Sequence, residues 1–291
     1  MLRERPRYTL NLPKNRRMEL GPRTLVMGIL NVTPDSFSDG GLFLDPDKAV
    51  RHAREMIEAG ADILDIGGES TRPFSDPVPL EEELRRTIPV IRAIREFTDI
   101  PISIDTTKAE VARQALDAGA DIINDVSALR FDPEMAEVAA ERNVPVILMH
   151  MLGTPKTMQE NPTYRSVVSE IIAFLDSRIE YAISKGIKFE NIIVDPGIGF
   201  GKTVNHNLQI IRNLDAFHSL ERPILLGASR KRFIGAILGT PPEDRETGLA
   251  AVNTYAITSG VHILRVHDVR FHLQVVRMTE SIMMGYADSD K

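Results

Sequence analysis

The side chains with the most chemical capacity in this 291-residue sequence recur at one kind of place, directly after a short apolar run. They are Asn31, Asp65 with Glu69-Ser70-Thr71-Arg72 behind it, Asp105, Asn124-Asp125, His150, Asp195, Lys231, and Arg265 with His267. Carboxylates, amides and cations of this kind make charge-assisted hydrogen bonds to a polar ligand. A single Asp or Asn after a strand serves equally well as a turn residue. Eight such positions together favour a pocket built for a polar, hydrogen-bonding molecule.

Something must carry these residues to one place. The apolar runs are Leu25–Leu30, Ile63–Ile66, Pro101–Ile104, Asp121–Ile123, Pro145–Met149, Ile192–Val194, Ile224–Leu226 and Ile263–Val266. Short runs rich in Ile, Val and Leu are the mark of strands buried on both faces of a parallel sheet. Helical patterns lie between them. Asp45-Pro46 and Asp132-Pro133 place a capping residue before a first-turn proline, and Thr107-Lys108-Ala109-Glu110 has the form of a capping box. Tyr164–Lys185 repeats apolar residues at helical spacing and stops at Gly186. A segment also repeats: Ala59-Gly60-Ala61-Asp62-Ile63-Leu64-Asp65 returns as Ala118-Gly119-Ala120-Asp121-Ile122-Ile123-Asn124, and more loosely as Ser259-Gly260-Val261-His262-Ile263-Leu264-Arg265. In each copy a helix ends at glycine and a strand begins at once. Eight βα units without a linker predict a single α/β domain, a (β/α)8 TIM barrel over residues 24–291. Residues 1–23 are expected to be an N-terminal extension, a hairpin capping the barrel bottom.

In such a barrel the C-terminal strand ends form the active face, which is where every residue named above would stand. A two-metal barrel hydrolase would show His-x-His after the first strand, but the sequence there is Ile29-Leu30-Asn31. A Schiff-base enzyme would carry lysine at a late strand end, commonly the sixth, which here ends on Asp195. Lys231 reads as the only lysine near the rim and, between Arg230 and Arg232, suits an anion better than a carbonyl. The plain alternative for that triplet is a solvated charge run. Gly227-Ala228-Ser229 leads from a buried strand into a predicted helix start, and loops after strands seven and eight are where such barrels bind phosphate.

Composition narrows the class further. A net charge of −6 argues against a general nucleic-acid binder, and the lack of cysteine excludes disulfides, thiolate catalysis and cysteine-held zinc. The basic N-terminal stretch lacks a signal peptide's apolar run, and no stretch is long enough to span a bilayer, so a cytoplasmic enzyme is expected.

Several segments resemble the signatures of the dihydropteroate synthase family. Gly28-Ile29-Leu30-Asn31-Val32-Thr33-Pro34-Asp35-Ser36-Phe37-Ser38-Asp39-Gly40-Gly41 is similar to the first, and Asp65-Ile66-Gly67-Gly68-Glu69-Ser70-Thr71-Arg72-Pro73 to the second. Ser103–Thr106, Ile123–Val126, Asp195–Lys202, Ser229–Lys231 and Arg265–Asp268 follow in family order. The resemblance implies joining of (7,8-dihydropterin-6-yl)methyl diphosphate to p-aminobenzoate, with pyrophosphate leaving by an SN1-like path. It places Asp105, Asn124, Asp195 and Lys231 around the pterin, with Met149 and Phe200 against the ring faces. Arg265 and His267 would hold the pyrophosphate, with Thr71 and Arg72 entering from the second loop. Asn31 would give Mg2+ an oxygen ligand, a hard donor for a hard ion. Asp35, in a lid spanning Val32–Leu44, would help stabilise the developing cation. Phe37, Thr71, Pro73, Ser229, Lys231 and Arg232 would receive p-aminobenzoate, the site at which sulfonamides compete. His150 has no family role and reads as a packed or hydrogen-bonded histidine. The resemblance also implies a homodimer.

The sequence departs from the family pattern at Arg232, where serine is common, and at Phe74, where glycine is common. Both departures fall on the p-aminobenzoate half. Two rival readings are a pterin-binding methyltransferase barrel and a pterin-binding paralogue without catalysis. The first-loop signature and Ser229-Arg230-Lys231 argue against the former, and the presence of Asn31, Lys231, Arg265 and His267 against the latter.

Overall fold

The structure, a computed structural model, describes residues 5–33, 46–70 and 75–286. The chain opens with a hairpin of β1 (Tyr8–Leu12) and β2 (Arg16–Leu20), paired antiparallel from Tyr8↔Leu20 to Leu12↔Arg16. Its three-residue loop, Pro13 to Asn15, turns at Lys14 and Asn15, both at positive φ (58° and 57°).

Strands and helices then alternate: β3 (Leu25–Asn31), α1 (Pro46–Glu58), β4 (Ile63–Gly67), α2 (Leu80–Arg95), β5 (Ile102–Asp105), α3 (Ala109–Ala118) and β6 (Ile122–Asp125). They continue as α4 (Met135–Arg142), β7 (Val146–Met149), α5 (Val167–Ser184), β8 (Ile192–Asp195), α6 (Val204–Arg212), β9 (Leu225–Leu226), α7 (Arg232–Leu238), α8 (Glu246–Thr258), β10 (Ile263–Val266) and α9 (Val269–Met284). β3 to β10 form one eight-stranded sheet in the order β8-β7-β6-β5-β4-β3-β10-β9, each neighbouring pair parallel. The ring closes between β8 and β9 through a single bridge, Val194↔Ile224, and the Val194 N–H to Pro223 carbonyl bond at 3.0 Å. This is the (β/α)8 barrel, with its strands where the apolar runs lay.

Side chains alternate in and out along each strand. Outward positions such as Leu64, Ile104, Val146 and Leu264 pack beneath the helices in the large outer core. Inward positions near the strand starts (Leu25, Met27, Ile63, Ile122, Ile147, Ile193, Leu225 and Ile263) form a separate apolar cluster with Leu10, Leu12, Met18 and Leu20 of the hairpin. The hairpin therefore covers the apolar lower end of the barrel.

The repeated segment has a common structural basis. Gly60, Gly119 and Gly260 all have positive φ, and at Gly119 (115°) a Cβ would meet Arg95 Cγ at 2.7 Å. Two residues after the glycine, the side chain accepts a backbone N–H from the preceding strand: Asp62 from Val26 at 2.8 Å, Asp121 from Ile102 at 3.0 Å. In the third copy His262 Nδ1 takes that place, accepting from Ile224 at 3.1 Å.

The expected capping box at Thr107 is not formed. α3 begins at Ala109, whose N–H is taken at 2.8 Å by Asp132, and the same carboxylate accepts from Glu134 N at 3.0 Å. A buried-edge carboxylate reaching across from the next unit displaces the local hydroxyl. None of the helices among the described residues is long and apolar enough to cross a membrane.

Candidate active site

Above the apolar floor the inward positions turn polar. Asp65 on β4, Asp105 on β5, Asn124 on β6 and Asp195 on β8 are all buried, and Arg265 on β10 points at them from across the barrel. Its Nε donates to Asp65 Oδ2 at 2.6 Å and its Nη2 to Asp105 Oδ2 at 2.8 Å. Asn124 Nδ2 donates to Asp65 Oδ2 at 3.1 Å, leaving the amide's orientation fixed by the array. A cleft opens over them, lined by Asp105, Asn124, Val126, Met149, Asp195, Phe200, Gly227, Lys231 and Arg265.

Electrostatics follow from burial in this cleft. Burial raises the Asp105 carboxyl to about 7, with Arg265 opposing and Asp65 adding to the rise. Burial raises Asp195 to about 6, against the Gly197 N–H that donates to its Oδ1 at 2.7 Å. Burial, with Arg265 nearby, lowers the Lys231 ammonium to about 8, Asp195 and Asp105 opposing. For Arg265 burial works downward, and Asp65 and Asp105 outweigh it, holding the guanidinium above its ordinary value. The cleft thus holds carboxylates that change charge near neutrality beside a fixed cation.

Lys231 Nζ stands 3.9 Å from the centre of the Phe200 ring, a cation–π contact. Met149 and Phe200 belong to a small apolar cluster with Val126, Met151 and Met158, apart from the main barrel core. They face the cleft rather than merely filling the barrel.

The other expected residues fall as follows. Ser229 Oγ and His267 Nδ1 are 2.7 Å apart, joining the loops after β9 and β10. Arg232 is exposed at the first position of α7, while Arg230, at positive φ, turns toward Glu246 with Nε 3.8 Å from Oε1. Lys231 alone of that triplet points into the cleft. Asn31 ends β3, half-buried, and is not among the cleft-lining residues. Asp35, Phe37, Thr71, Arg72, Pro73 and Phe74 lie outside the described residues.

Three features were not anticipated. Lys231 is not the only lysine near the rim, because Lys202 is buried behind Phe200 with its Nζ 2.9 Å from His150 Nδ1. Lys202 lies in the loop after β8, where no strand period decides a side chain's direction, so its spacing carried no signal. Asp65 is the second carboxylate on Arg265, a partnership its inward parity on β4 foreshadows. Asp125, next to Asn124, points the other way and accepts the Ser127 and Leu129 N–H groups at 2.7 and 2.8 Å, so it shapes its own loop.

A barrel whose C-terminal face holds buried carboxylates, an amide and two cations around a cleft belongs to a known class. The sequence profile of pterin binding enzymes matches residues 27–267. The dihydropteroate synthase of Synechocystis is 50% identical over 263 residues, 90% of this chain and 91% of that protein. The Xanthomonas albilineans dihydropteroate synthase solved with 4-aminobenzoic acid superposes with a TM-score of 0.89 at 44% identity, covering 96% of this chain and 99% of that one. The same organism's enzyme in complex with 7,8-dihydropteroate gives 0.85 at 43% identity, over 96% of this chain and 99% of that one. The chain belongs to the dihydropteroate synthase family of transferases within the pterin-binding barrels.

Proposed function

We propose that this chain condenses (7,8-dihydropterin-6-yl)methyl diphosphate with p-aminobenzoate, releasing pyrophosphate and 7,8-dihydropteroate. The observation that carries this reading is the gathering of Asp105, Asn124, Asp195, Lys231 and Arg265 around one buried cleft. A pterin edge presents adjacent N–H and amino donors, and a buried carboxylate facing them makes short, charge-assisted bonds. Asp195 and Asp105 supply the carboxylates, Asn124 an amide of either polarity, and Lys231 a donor for ring acceptors. Met149 and Phe200 supply apolar faces for the ring.

The second half of the reading is electrostatic. Two of Arg265's five N–H groups are held by Asp65 and Asp105, which fixes the plane of its fork and aims the remainder. With His267, Thr71 and Arg72 it would receive the diphosphate and stabilise the charge that develops as the C–O bond breaks in an SN1-like step. Asp35 would sit near the developing cation. The aniline nitrogen of p-aminobenzoate is neutral near pH 7 and needs no strong base to attack. Ser229, Lys231, Arg232, Phe37 and Pro73 would hold that substrate.

The residues fit a magnesium ion that arrives with the diphosphate. Among the described residues no group of three or more His, Cys, Asp or Glu could hold a metal by itself. Asn31 offers one neutral hard oxygen at the rim, and Mg2+ typically keeps waters and substrate phosphates beside one or two protein oxygens. When bound there it would neutralise charge on the leaving group.

Exposed Ile237 and Leu238 on α7 and Met278 and Ile282 on α9, two helices that both pack on α8, support a homodimer through that side, and the cytoplasm is the compartment that suits the activity. Purified protein given both substrates and Mg2+ is expected to form dihydropteroate. Absence of that product from folded protein rejects the reading.

A further inference from the structure

Among the described residues, Lys202 is a buried amine near the cleft that the proposed mechanism does not use. It is 3% exposed, and its ammonium meets three acceptors: His150 Nδ1 at 2.9 Å, Phe200 O at 2.9 Å and His150 O at 3.3 Å. Three N–H donors thus meet three acceptors, none of them a carboxylate. Burial pulls this ammonium well below its ordinary value, with Asp195 opposing. Burial and the Lys202 charge hold His150 down at about 2, so its ring is neutral, and in the tautomer with its proton on Nε2 the Nδ1 accepts from Lys202. A buried amine with no carboxylate in contact is costly to keep charged, and the fold retains it at one particular loop.

That loop runs from the end of β8 to α6. At Gly197 a Cβ would lie 1.9 Å from the His150 carbonyl oxygen, so the ends of β7 and β8 touch backbone to backbone. Beyond it, three successive carbonyls each accept from a side chain. Gly199 O takes Gln159 Nε2 at 2.6 Å, Phe200 O takes Lys202, and Gly201 O takes Tyr164 Oη at 2.8 Å. Gln159 and Tyr164 latch the loop from the β7–α5 segment outside. Lys202 holds it from beneath, at the residue whose ring lines the cleft.

We propose that Lys202 is a positioning residue for the pterin half of the site, fixing the Phe200 ring between the methionine cluster and the Lys231 ammonium. The proposal rests on the reading of the cleft as the pterin site. Because Lys202 acts through Phe200, its loss is transmitted to pterin binding and hardly at all to p-aminobenzoate.

The test is a double-mutant cycle with Lys202→Met and Phe200→Ala, measured as KM for each substrate, kcat and Tm. Lys202→Met is expected to raise the pterin diphosphate KM by roughly tenfold to thirtyfold, the size of losing one or two buried hydrogen bonds, while the p-aminobenzoate KM moves less than about threefold. In the Phe200→Ala background the same change should cost less than about threefold, since the group it positions is gone. Effects that multiply in the double variant, equal rises in both KM values, or a fall in Tm with both KM values unchanged overturn the proposal. If Lys202→Met does not fold, Lys202→Gln, which keeps two N–H donors, enters the same cycle under the same criteria. Wild-type enzyme run alongside separates the two claims: no dihydropteroate from wild type rejects the function, whereas active wild type with an additive cycle rejects only the role of Lys202.

Discussion

Arg265 ties Asp65 to Asp105 across adjacent strands, its Nε 2.6 Å from one carboxylate and its Nη2 2.8 Å from the other. One guanidinium therefore neutralises two buried anions and holds both at fixed angles, which a lysine could not do with a single point of charge.

Replacing Arg265 by Met should cost about 3–5 kcal/mol at pH 8, because two buried carboxylates lose their cation. The loss should shrink at pH 5.5, where the Asp105 carboxyl, already raised to about 7 in the native protein, is protonated. Urea unfolding at the two pH values measures the difference; equal losses at both would place the burden elsewhere.

The raised carboxyls of Asp105 (about 7) and Asp195 (about 6) set two opposite pH dependences. The folded protein holds these protons more tightly than the unfolded chain, so their contribution to ligand-free stability is full below the ordinary Asp range. It is lost as pH rises through 6 and 7. A pterin needs the ionised forms as acceptors, so its affinity should rise over the same window and level off above about 7.5. Calorimetry at pH 6 in buffers of different ionisation enthalpy should show proton release on binding a pterin; no release would mean the carboxyls are already ionised.

Asp195→Ala removes an acceptor that nothing else in the cleft replaces. Affinity for pterin diphosphate should fall by about 100-fold, the loss of two hydrogen bonds to a charged group. Asp195→Asn, similar in size and able to keep the Gly197 N–H contact, should retain more of the fold's stability and little of the binding. Isothermal titration of both variants gives the comparison, and an unchanged dissociation constant for either would remove Asp195 from the site.

Chelation of Mg2+ should abolish turnover yet leave untouched the affinity for a pterin lacking the diphosphate, since Asn31 stands apart from the residues lining the cleft. Fluorescence titration with and without EDTA tests this. A metal requirement for the bare pterin would mean that the ion organises the cleft itself.

The barrel was legible because strands buried on both faces leave short Ile- and Val-rich runs that nothing else in this chain imitates. Asp105, Asn124, Asp195 and Arg265 were legible because strand alternation alone decides that they point inward. Loop residues obey no such period. Lys202 was hidden because its direction is set by three glycines and two distant latches, and Thr107 misled because Asp132 from the next unit takes the helix N–H that a local hydroxyl would have served. Asp65 was seen at the rim but not as a partner of Arg265, since pairing across the barrel depends on radius as well as parity.

The seam of the barrel has a mechanical meaning. β9 contributes two residues to the sheet and meets β8 through one bridge, whereas β3 and β4 are paired over five positions. The stave with the fewest fastenings is also the one that carries Gly227 and Lys231 to the cleft. Amide exchange should start at Ile224–Leu226 sooner than in any other stave, so that the wall carrying Lys231 is the part of the ring that yields first to strain and heat.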